Sequence, residues 1–374
     1  MQRFWQTLFS GFDSILFGAM ICLSLLGLVT MYSHVGENVL FNRQIIWILF
    51  VTFVFFVVMI PDYRFLRNGN AAFYMYLIIA FMLVLVLFFG EEILGARRRF
   101  DFGFFSLQAS DPAKLVLIMV LAKYFAKRHE LIGDFKHIII SGVYTLIIFG
   151  LVFIQPDFGS AMILFFIWFG MVLVAGIRFQ HVAIVLTMGM LAFGGLWQFA
   201  FQDYQKQRIM TFIDPLSDIQ GAGYNAYQST VAVGSGELWG EGIGYGTQSK
   251  FLFLPEYETD FIFAAFAEEW GFVGVGILFI LFGIVMWRLL LHATSGASNF
   301  EKLFATGVII YLLTHFFIHI GMNIGLLPVT GTTIPFLSYG GSHLVTEFVA
   351  VGMVLAMRRY TQVRSIAKHT IFDD

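Results

Sequence analysis

The chain has 374 residues, of which 59% are hydrophobic and 12% carry a charge, and its formal net charge is −2. Soluble domains contain about 25% charged residues, so the polar surface here is too small to cover a water-soluble globule of this size. Composition therefore excludes an ordinary soluble enzyme, a disordered protein and a secreted disulfide scaffold. The only cysteine, Cys22, has no partner for an intramolecular disulfide. The 46 Phe, 16 Met and 37 Gly are typical of a helical bundle in lipid.

Ten apolar runs come close to the length that a helix needs to cross a membrane, which is roughly 20 residues for about 30 Å of hydrocarbon. The runs do not alternate apolar with polar residues, which excludes a transmembrane β-barrel. We therefore predict an all-α polytopic membrane protein that forms a single transmembrane domain over 1–374. The predicted spans are roughly 13–33, 44–61, 71–90, 112–126, 137–154, 159–176, 181–201, 261–287, 303–324 and 341–357.

Lysine and arginine predict the orientation, because cytoplasmic segments carry an excess of both. With the N-terminus in the cytoplasm, most of these residues between the spans fall on the inner side, and both termini are then cytoplasmic. The exceptions are Arg43, Arg97–Arg99, Lys206, Arg208 and Lys250 on the outer side. Cations that lie outside against this rule indicate an anionic ligand there.

One connection is much longer than the others. Residues 202–259 separate the seventh and eighth predicted spans on the outer side, and long loops in compact folds are usually functional or disordered. Apolar stretches at 224–233 and 251–254 predict that this loop packs on the bundle. Its glycines between 234 and 246 do not form a phosphate-binding loop, since no Gly-Lys-Ser/Thr follows them. We expect them to permit tight turns.

Asp260 lies where this loop enters the eighth span, in the stretch Leu254-Pro-Glu-Tyr-Glu-Thr-Asp260-Phe-Ile-Phe. The structural interpretation is that Thr259 or Asp260 caps the helix. The functional interpretation is a general base at the lipid–water boundary. Burial raises the pKa of such a carboxyl group and a helix N-terminus lowers it. A base of this kind typically contributes about 10²–10⁴-fold in rate.

Two further carboxylates follow within the same span. Glu268 lies about 12 Å deeper than Asp260, at 1.5 Å of rise per residue, and Glu269 points nearly opposite to Asp260. Carboxylates inside a membrane normally face a cavity or a partner. Hydrogen bonding in the bundle interior and a polar floor to the site are the two interpretations.

Basic residues on the outer side are candidates for phosphate binding. Arg97 and Arg98 precede the fourth span, and Lys206 and Arg208 begin the long loop. Arginine binds phosphate oxygens through two parallel hydrogen bonds, and a lipid-linked pyrophosphate at the outer leaflet would need such cations. Attraction to anionic lipid headgroups is the alternative.

Two acidic residues on the outer side have both a structural and a functional interpretation. Asp111 is three residues before Lys114 in the fourth span, so the two can pair on one helix face, or Lys114 can reach a phosphate. Asp157 lies in the Gln155–Ser160 turn, whose Pro, Asp and Gly are turn residues in their own right. At that depth Asp157 can also orient a cation.

Histidines at helical spacing resemble half of a metal site. His315 and His319 lie one turn apart on the ninth span, but no obvious third ligand is near in sequence. His343 and Glu347 have the same spacing on the tenth span. Pairing between these two helices is the favoured interpretation.

Several of these segments resemble the SEDS family (shape, elongation, division and sporulation). The resemblance extends over much of the chain in the family's order, and its most specific parts are Leu254–Phe263 and the Ser338–Ser342 end of Gly325–Ser342. The other matching segments are Gly95–Lys114, Gln155–Ser160, Tyr204–Arg208, Asp214-Pro215, Gly221–Tyr224, Gly246–Ser249 and Glu268–Gly271.

The resemblance implies the ten-helix SEDS fold and a peptidoglycan glycosyltransferase. Such an enzyme polymerises lipid II, the undecaprenyl-pyrophosphate-linked disaccharide-pentapeptide, into glycan strands during cell-wall elongation and cell-shape control. It implies Asp260 as general base, undecaprenyl pyrophosphate as leaving group, and a site that faces outward from the bacterial cytoplasmic membrane. The substrate-binding residues expected from the resemblance and from the analysis above are Arg97, Arg98, Lys114, Asp111, Asp157, Lys206, Arg208, Glu268 and Ser338.

The implied partners are a class B penicillin-binding protein, which crosslinks the strands, and the elongation machinery, with no nucleic acid. No cofactor is firmly implied, and a divalent cation is left open. Two positions depart from the family pattern, since Asp111 stands where Glu is usual and Glu258 where His is usual. A carboxylate at 258 is expected to repel Asp260 and to raise its pKa.

Two other functions remain as alternatives, a flippase or transporter of lipid-linked cell-wall precursors and a scaffolding membrane subunit. A flippase needs polar groups through the depth of the bilayer, whereas the charges here cluster at the outer face. Inverted repeats, which are common in transporters, are not visible in the sequence. A scaffold would tolerate Asp260→Asn.

Overall fold

The structure is a computed structural model that describes residues 12–35, 39–93, 96–103, 105–128, 135–199, 201–214, 222–251, 253–254 and 256–372. Long helices dominate the described parts of the chain. They are α1 (Ser14–Val35), α2 (Val39–Val58), α3 (Arg64–Asn68), α4 (Ala71–Phe89), α5 (Ser110–Ala126), α6 (Phe135–Ile154), α7 (Phe158–Ala175), α8 (Phe179–Phe199), α9 (Asp203–Ile213), α10 (Ala222–Ser235), α11 (Thr247–Lys250), α12 (Ile262–Thr294), α13 (Asn299–Asn323) and α14 (Gly341–Phe372). Within the sequence segments named above, Gly95, Phe104, Ala200, residues 215–221, Leu252 and Pro255 lie outside the described residues.

The prediction of a polytopic helical membrane protein is confirmed. Within the described residues, 8 helices are long and apolar enough to cross a membrane. Large apolar side chains cover their outer faces, and Phe53, Phe81 and Leu191 are 66%, 62% and 73% exposed. A surface of this kind belongs against lipid, because a soluble monomer rarely exposes continuous apolar patches.

The fourth and tenth predicted spans correspond to α5 and to the first half of α14, which are not among those 8 helices. Helix α5 has only 17 residues and carries Asp111, Lys114 and Lys123. Most of its side chains are buried, so it contacts other helices instead of lipid. The count of ten spans stays a prediction.

Helix α5 lies at the centre of the bundle and contacts α4, α7 and α13. Its residues Leu117, Ile118 and Leu121 are fully buried. Gly307 of α13 faces Ile118 so closely that a Cβ atom on the glycine would lie 2.5 Å from the Ile118 side chain. Both helices run from the end of the bundle that carries Asp260 to the opposite end. They therefore determine how deep in the bundle each of their side chains lies.

A small antiparallel sheet, which the sequence did not predict, precedes α5. It consists of β1 (Glu91–Ile93), β2 (Ala96–Asp101) and β3 (Ser106–Leu107) in the order β1-β2-β3. The turn between β2 and β3 is stabilised by Asp101, whose Oδ1 accepts a hydrogen bond of 2.6 Å from the Gly103 amide. Strands this short carry too little alternation for detection.

The long loop also contains helices, and α10 contacts α12 and α13. The glycines between 234 and 246 form tight turns as expected, with φ of +79°, +99° and +81° at Gly240, Gly242 and Gly244. Helix α12 has a matching break at Gly271, where φ is +63°. A Cβ atom at Gly271 would lie 2.2 Å from the Gly240 nitrogen. Close backbone contact between loop and helix therefore requires glycine on both sides.

We expect Gly236→Ala to destabilise the protein by about 1–3 kcal/mol, which is typical of overpacking. A Cβ atom at Gly236 would lie 2.0 Å from the Ala267 carbonyl oxygen, so the loop must move away from α12. Gly234→Ala is the matched control, because a Cβ atom there meets nothing within 4 Å. The measurement is the unfolding temperature in detergent, and equal values for the two variants would contradict this account of the packing.

Candidate active site

A cavity of about 450 Å³ lies at the end of the bundle where the long loop meets the helices. Three segments form most of its wall: residues 99–114, the turn at 256–260 before α12, and residues 331–343 before α14. The titratable side chains on its wall are Arg43, Arg99, Asp101, Asp111, Lys114, Glu256, Asp260, His315, Tyr339 and His343.

Asp260 does not cap the helix that follows it. Helix α12 begins at Ile262, and its N-cap is Phe261, which makes no side-chain capping bond. Thr259 uses its hydroxyl differently, since it donates to the Glu256 side chain at 3.2 Å. The structural interpretation of Asp260 as a cap is therefore wrong, and its carboxylate is free to line the cavity.

Asn323, which is fully buried at the end of α13, holds the turn that carries Asp260. Its Nδ2 donates to the Asp260 carbonyl oxygen at 3.0 Å and to the His319 carbonyl oxygen at 2.8 Å. Its Oδ1 accepts from the Ala264 amide at 3.2 Å. One amide side chain thus links the backbone on both sides of the start of α12.

Ser338 supports the same turn from the other side. Its hydroxyl donates to the Thr259 carbonyl oxygen at 2.9 Å and accepts from the Ile334 amide at 3.0 Å. The Tyr339 amide donates to the Glu258 carbonyl oxygen at 2.9 Å. Ser338 is buried beneath the turn, so the structure shows it as a positioning residue, and its contact with substrate stays a prediction.

The Asp260 carboxyl group lies in an environment that disfavours its charge. Burial is the largest effect and the Glu256 carboxylate adds to it, whereas Arg208 and Arg98 act in the opposite direction; the pKa of Asp260 is raised to about 7. The nearby carboxylate that contributes most is Glu256, not Glu258 as expected from the sequence. The Glu258 side chain is buried and accepts from the Tyr257 hydroxyl at 3.2 Å.

Arg98 and Arg208 lie together in a small recess beside the cavity, between the 156–158 and 328–330 segments. Arg98 donates to the Pro156 carbonyl oxygen at 2.6 Å, and Arg208 donates to the Val329 carbonyl oxygen at 3.3 Å. Their charges lower the pKa of Asp260. These two predicted site residues therefore lie close enough to Asp260 to influence its ionisation.

Asp111 and Lys114 form the ion pair that their spacing allows, with Nζ 3.0 Å from Oδ1. Both are buried, and both also line the cavity. His343 continues the polar wall, since its Nδ1 lies 4.0 Å from Asp111 and its Nε2 lies 2.7 Å from Glu347. Asp111 and Lys114 can therefore pair with each other and line the cavity at the same time.

Asp157 caps α7, because its Oδ1 accepts from the Ser160 amide at 3.1 Å. Its Oδ2 accepts from the Gln108 side chain at 3.0 Å and from the Ser110 hydroxyl at 3.3 Å. These bonds connect the start of α7 to the start of α5. Asp157 thus joins two walls of the site but is not part of the cavity lining.

Other predicted site residues lie away from the cavity. Glu268 is fully buried and accepts from the Gln248 amide at 2.7 Å, which agrees with hydrogen bonding in the bundle interior. Arg97 is exposed on β2, and Lys206 lies partly exposed on α9; neither lines the cavity. Their contact with substrate stays a prediction.

Several titratable residues of the cavity wall were not among the expected substrate-binding residues, namely Arg43, Arg99, Asp101, Glu256, His315, Tyr339 and His343. The sequence did indicate Arg43, because it is one of the cations that were predicted to lie on the outer side. Arg99 adjoins Arg98, but neighbouring side chains of a strand point to opposite faces, so Arg99 lines the cavity while Arg98 reaches Pro156. No sequence pattern indicated Glu256. Its effect on the pKa of Asp260 depends on the shape of the turn between them, which only the folded structure shows.

Within the described residues, no group of three or more His, Cys, Asp or Glu side chains has the geometry of a metal site. His315 and His319 instead face the backbone of the 331–333 segment. His315 Nδ1 lies 3.1 Å from the Thr333 carbonyl oxygen, and His319 Nδ1 lies 2.7 Å from that of Thr332.

Fold and site define a class of protein: a multi-pass helical membrane protein with a polar cavity at one end and a partly buried carboxylate in its wall. A family model described as "Cell cycle protein", covering FtsW, RodA and SpoVE, matches residues 6–363. The chain belongs to this family, which is the SEDS family.

Named relatives agree with this assignment. "Peptidoglycan glycosyltransferase MrdB" of Escherichia coli K12 is 36% identical over 295 residues, which are 78% of this chain and 79% of the relative. "Stage V sporulation protein E" of Bacillus subtilis is 35% identical over 324 residues, which cover 86% of this chain and 87% of the relative.

Solved structures give the same result for the fold. A chain of the structure described as "Structural coordination of polymerization and crosslinking by a peptidoglycan synthase complex" has a TM-score of 0.80 and 30% identity, and the match covers 93% of this chain and 98% of that one. The Thermus thermophilus rod shape determining protein RodA has a TM-score of 0.71 and 29% identity, over 93% and 97% of the two chains.

We expect Asn323→Ala to loosen the Asp260 turn, because the Asp260 carbonyl and the Ala264 amide lose their buried partner. A buried polar group left without a partner costs about 1–3 kcal/mol. Hydrogen exchange, read by mass spectrometry on peptides that span 256–264, is expected to speed up. Asn299→Ala at the exposed start of the same helix is the control, and unchanged exchange in the Asn323 variant would contradict the assigned role.

Proposed function

We propose that this chain polymerises lipid II by glycosyl transfer, with Asp260 as the general base. The observation that carries the proposal is the Asp260 carboxylate itself, which lies in the wall of a cavity and has its pKa raised to about 7. A base with a pKa near the working pH combines a substantial ionised fraction with a strong affinity for the proton. Glycosyltransferase activity is the function named for the Escherichia coli relative.

The proposed reaction is a single displacement at the anomeric carbon. Asp260 accepts the proton of the 4-hydroxyl group on the GlcNAc sugar of the acceptor. The oxygen then forms a bond to the anomeric carbon of the donor MurNAc, and the bond from that carbon to the pyrophosphate oxygen breaks. The configuration at the anomeric carbon inverts, and undecaprenyl pyrophosphate leaves with the electron pair.

The departing pyrophosphate needs cations, and the cavity wall supplies Arg43, Arg99 and Lys114. Lys114 already lies in a low-dielectric wall, where electrostatic stabilisation of developing charge is strongest. Arg98 and Arg208 act on the same region from the neighbouring recess and keep part of the Asp260 population ionised. Arg97 and Lys206 remain predicted contacts for the outer parts of the substrate.

The working arrangement that we propose places the Asp260 end of the bundle outside the bacterial cytoplasmic membrane and both termini in the cytoplasm. The arginine and lysine distribution supports this orientation. A crosslinking partner, a class B penicillin-binding protein, fits the similarity to a chain of a peptidoglycan synthase complex. A role in elongation fits the similarity to a rod shape determining protein.

Asp260→Asn is expected to reduce polymerisation by about 10²–10⁴-fold, the usual contribution of a general base. The assay is the formation of glycan ladders from lipid II by purified protein, with a crosslinking-inactive partner present. Asp203→Asn, an exposed residue of the same outer loop, is the matched control and should stay active. Full activity of the Asp260 variant would exclude the general-base role.

Thermal unfolding separates loss of the base from loss of the fold. A carboxyl group whose pKa is raised by folding destabilises the folded state as pH rises from about 4 to above 7. Asp260→Asn removes this effect, so its unfolding temperature should equal or exceed that of the wild type at pH 8. A clearly lower value would mean that the variant is misfolded.

Glu256→Gln is expected to shift the acidic limb of the pH–rate profile to lower pH. The Glu256 carboxylate raises the pKa of Asp260, so its neutralisation favours the ionised base. The wild-type rate should rise with pH through about 7. Glu237→Gln is the control, because Glu237 is an exposed loop carboxylate that shares the positive φ of Glu256. An unchanged limb in the Glu256 variant would contradict this electrostatic coupling.

A further inference from the structure

A second cavity, of about 440 Å³, lies at the end of the bundle opposite to Asp260. Helix α5 joins the two ends, since Asp111 in its first turn lines the Asp260 cavity and Lys123 in its last turn lines the second one. Twelve residues of helix separate them by about 18 Å. The second cavity is therefore not part of the active site.

Three cations line this basic cavity, and its described lining includes no acidic side chain. The lining consists of Arg67, Asn68, Lys123, Ala126, Lys127, Ser298, Asn299 and Phe300. Like charges that converge in one concave surface repel each other and focus a positive potential. An anion in the cavity relieves this repulsion.

Two of the cations are held in place by neighbouring groups. The Lys123 ammonium donates to the Gly69 carbonyl oxygen, and Arg67 Nε donates to the Asn68 side-chain oxygen at 3.1 Å. Arg67 keeps the other donors of its guanidinium group for a ligand, because that group carries five N–H bonds. The basic cavity is thus partly preorganised.

The start of α13 adds further positive potential to the same surface. Ser298 caps this helix and accepts from the Glu301 amide. The amides of Asn299 and Phe300, in the first turn, belong to the groups that have no acceptor within the helix. A helix N-terminus carries a partial positive charge, and the Glu301 carboxylate in the same turn, which accepts from the Ala297 amide at 3.0 Å, offsets part of it.

The depth of the basic cavity indicates which anion it meets. Its three segments are the end of α3, just before α4, the end of α5 and the start of α13. At these points apolar helices emerge from the hydrocarbon. Phe65 on α3 and Phe73 at the start of α4 are 50% and 44% exposed, as expected for side chains beside acyl chains. Basic pockets between membrane helices bind phosphate-bearing lipid headgroups.

We propose that the basic cavity binds the phosphate group of an anionic phospholipid on the membrane side opposite to the active site. Arg67 and Lys127 contact the phosphate oxygens, and Lys123 supplies charge from behind. The proposal does not depend on the reaction at Asp260, since it concerns a different surface of the protein.

Native mass spectrometry of the purified full chain tests the proposal with phosphatidylglycerol as the probe and phosphatidylcholine as the neutral comparison. The variant is Arg67→Gln combined with Lys127→Gln, which spares Lys123 because it also binds the Gly69 carbonyl. Arg64→Gln on the same short helix is the matched control, since Arg64 pairs with Asp62 and does not line the cavity.

The wild type and the control are expected to bind one phosphatidylglycerol molecule tightly. The double variant should bind it roughly tenfold to thirtyfold more weakly, the loss expected for two cations near a membrane surface. Equal affinity in the double variant, or equal affinity of the wild type for phosphatidylcholine, would overturn the proposal.

A competition arm with inorganic phosphate distinguishes the two sources of the ligand. Displacement only at phosphate concentrations well above millimolar supports the lipid headgroup, and displacement at micromolar concentrations overturns it in favour of free phosphate.

Unfolding temperatures establish that the variants are folded. If the double variant does not fold, Lys127→Gln alone, at an exposed position, is compared with Arg64→Gln, and equal lipid affinity of these two again overturns the proposal.

Discussion

The hydrogen bonds of Asn323 are the constraint on which the rest of the site depends. This one buried amide joins the Asp260 carbonyl, the Ala264 amide and the His319 carbonyl, so the end of α13 and the start of α12 keep a fixed relation. Ser338 holds the same turn from the segment before α14. A carboxylate on a loose loop would be solvated by water and would have an ordinary pKa. The polar network removes that freedom, and the position of Asp260 in the cavity wall follows from it.

Opposing charges around Asp260 determine how far burial acts on it. Burial and Glu256 favour the protonated form, while Arg208 and Arg98 favour the ionised form. Burial and Glu256 without the arginines would raise the pKa of Asp260 further above neutrality, and the two arginines alone would lower it below neutrality. The same basic residues that we propose for an anionic substrate thus limit how strongly the Asp260 carboxylate holds its proton. In the proposed function, substrate binding and base strength are therefore coupled through these two arginines.

The sequence predicted the helical membrane fold, the family and the position of Asp260 where the long loop enters a helix, because each depends on local composition or on a contiguous motif. It did not predict which neighbouring arginine lines the cavity, since Arg98 and Arg99 diverge only because β2 is a strand. Ser338 was expected at the substrate, and nothing in the sequence indicated that its hydroxyl also supports the turn through a tertiary contact with Thr259. Glu256 was overlooked in favour of Glu258 for a similar reason. Glu258 is nearer to Asp260 along the chain, but the fold of the turn makes Glu256 the carboxylate that contributes more to the pKa of Asp260. Residues related by folded geometry lie beyond the reach of spacing arguments.

The buried pair of Asp111 and Lys114 has a consequence for how a charged ligand enters the cavity. In water an ammonium group is surrounded by solvent molecules that a phosphate must displace before contact, and this displacement opposes binding. Lys114 is already stripped of most of its hydration, because the bundle encloses it and Asp111 neutralises it. The pyrophosphate of the proposed substrate would therefore meet an ammonium group that lost its hydration when the protein folded. It would compete with the Asp111 carboxylate for that cation.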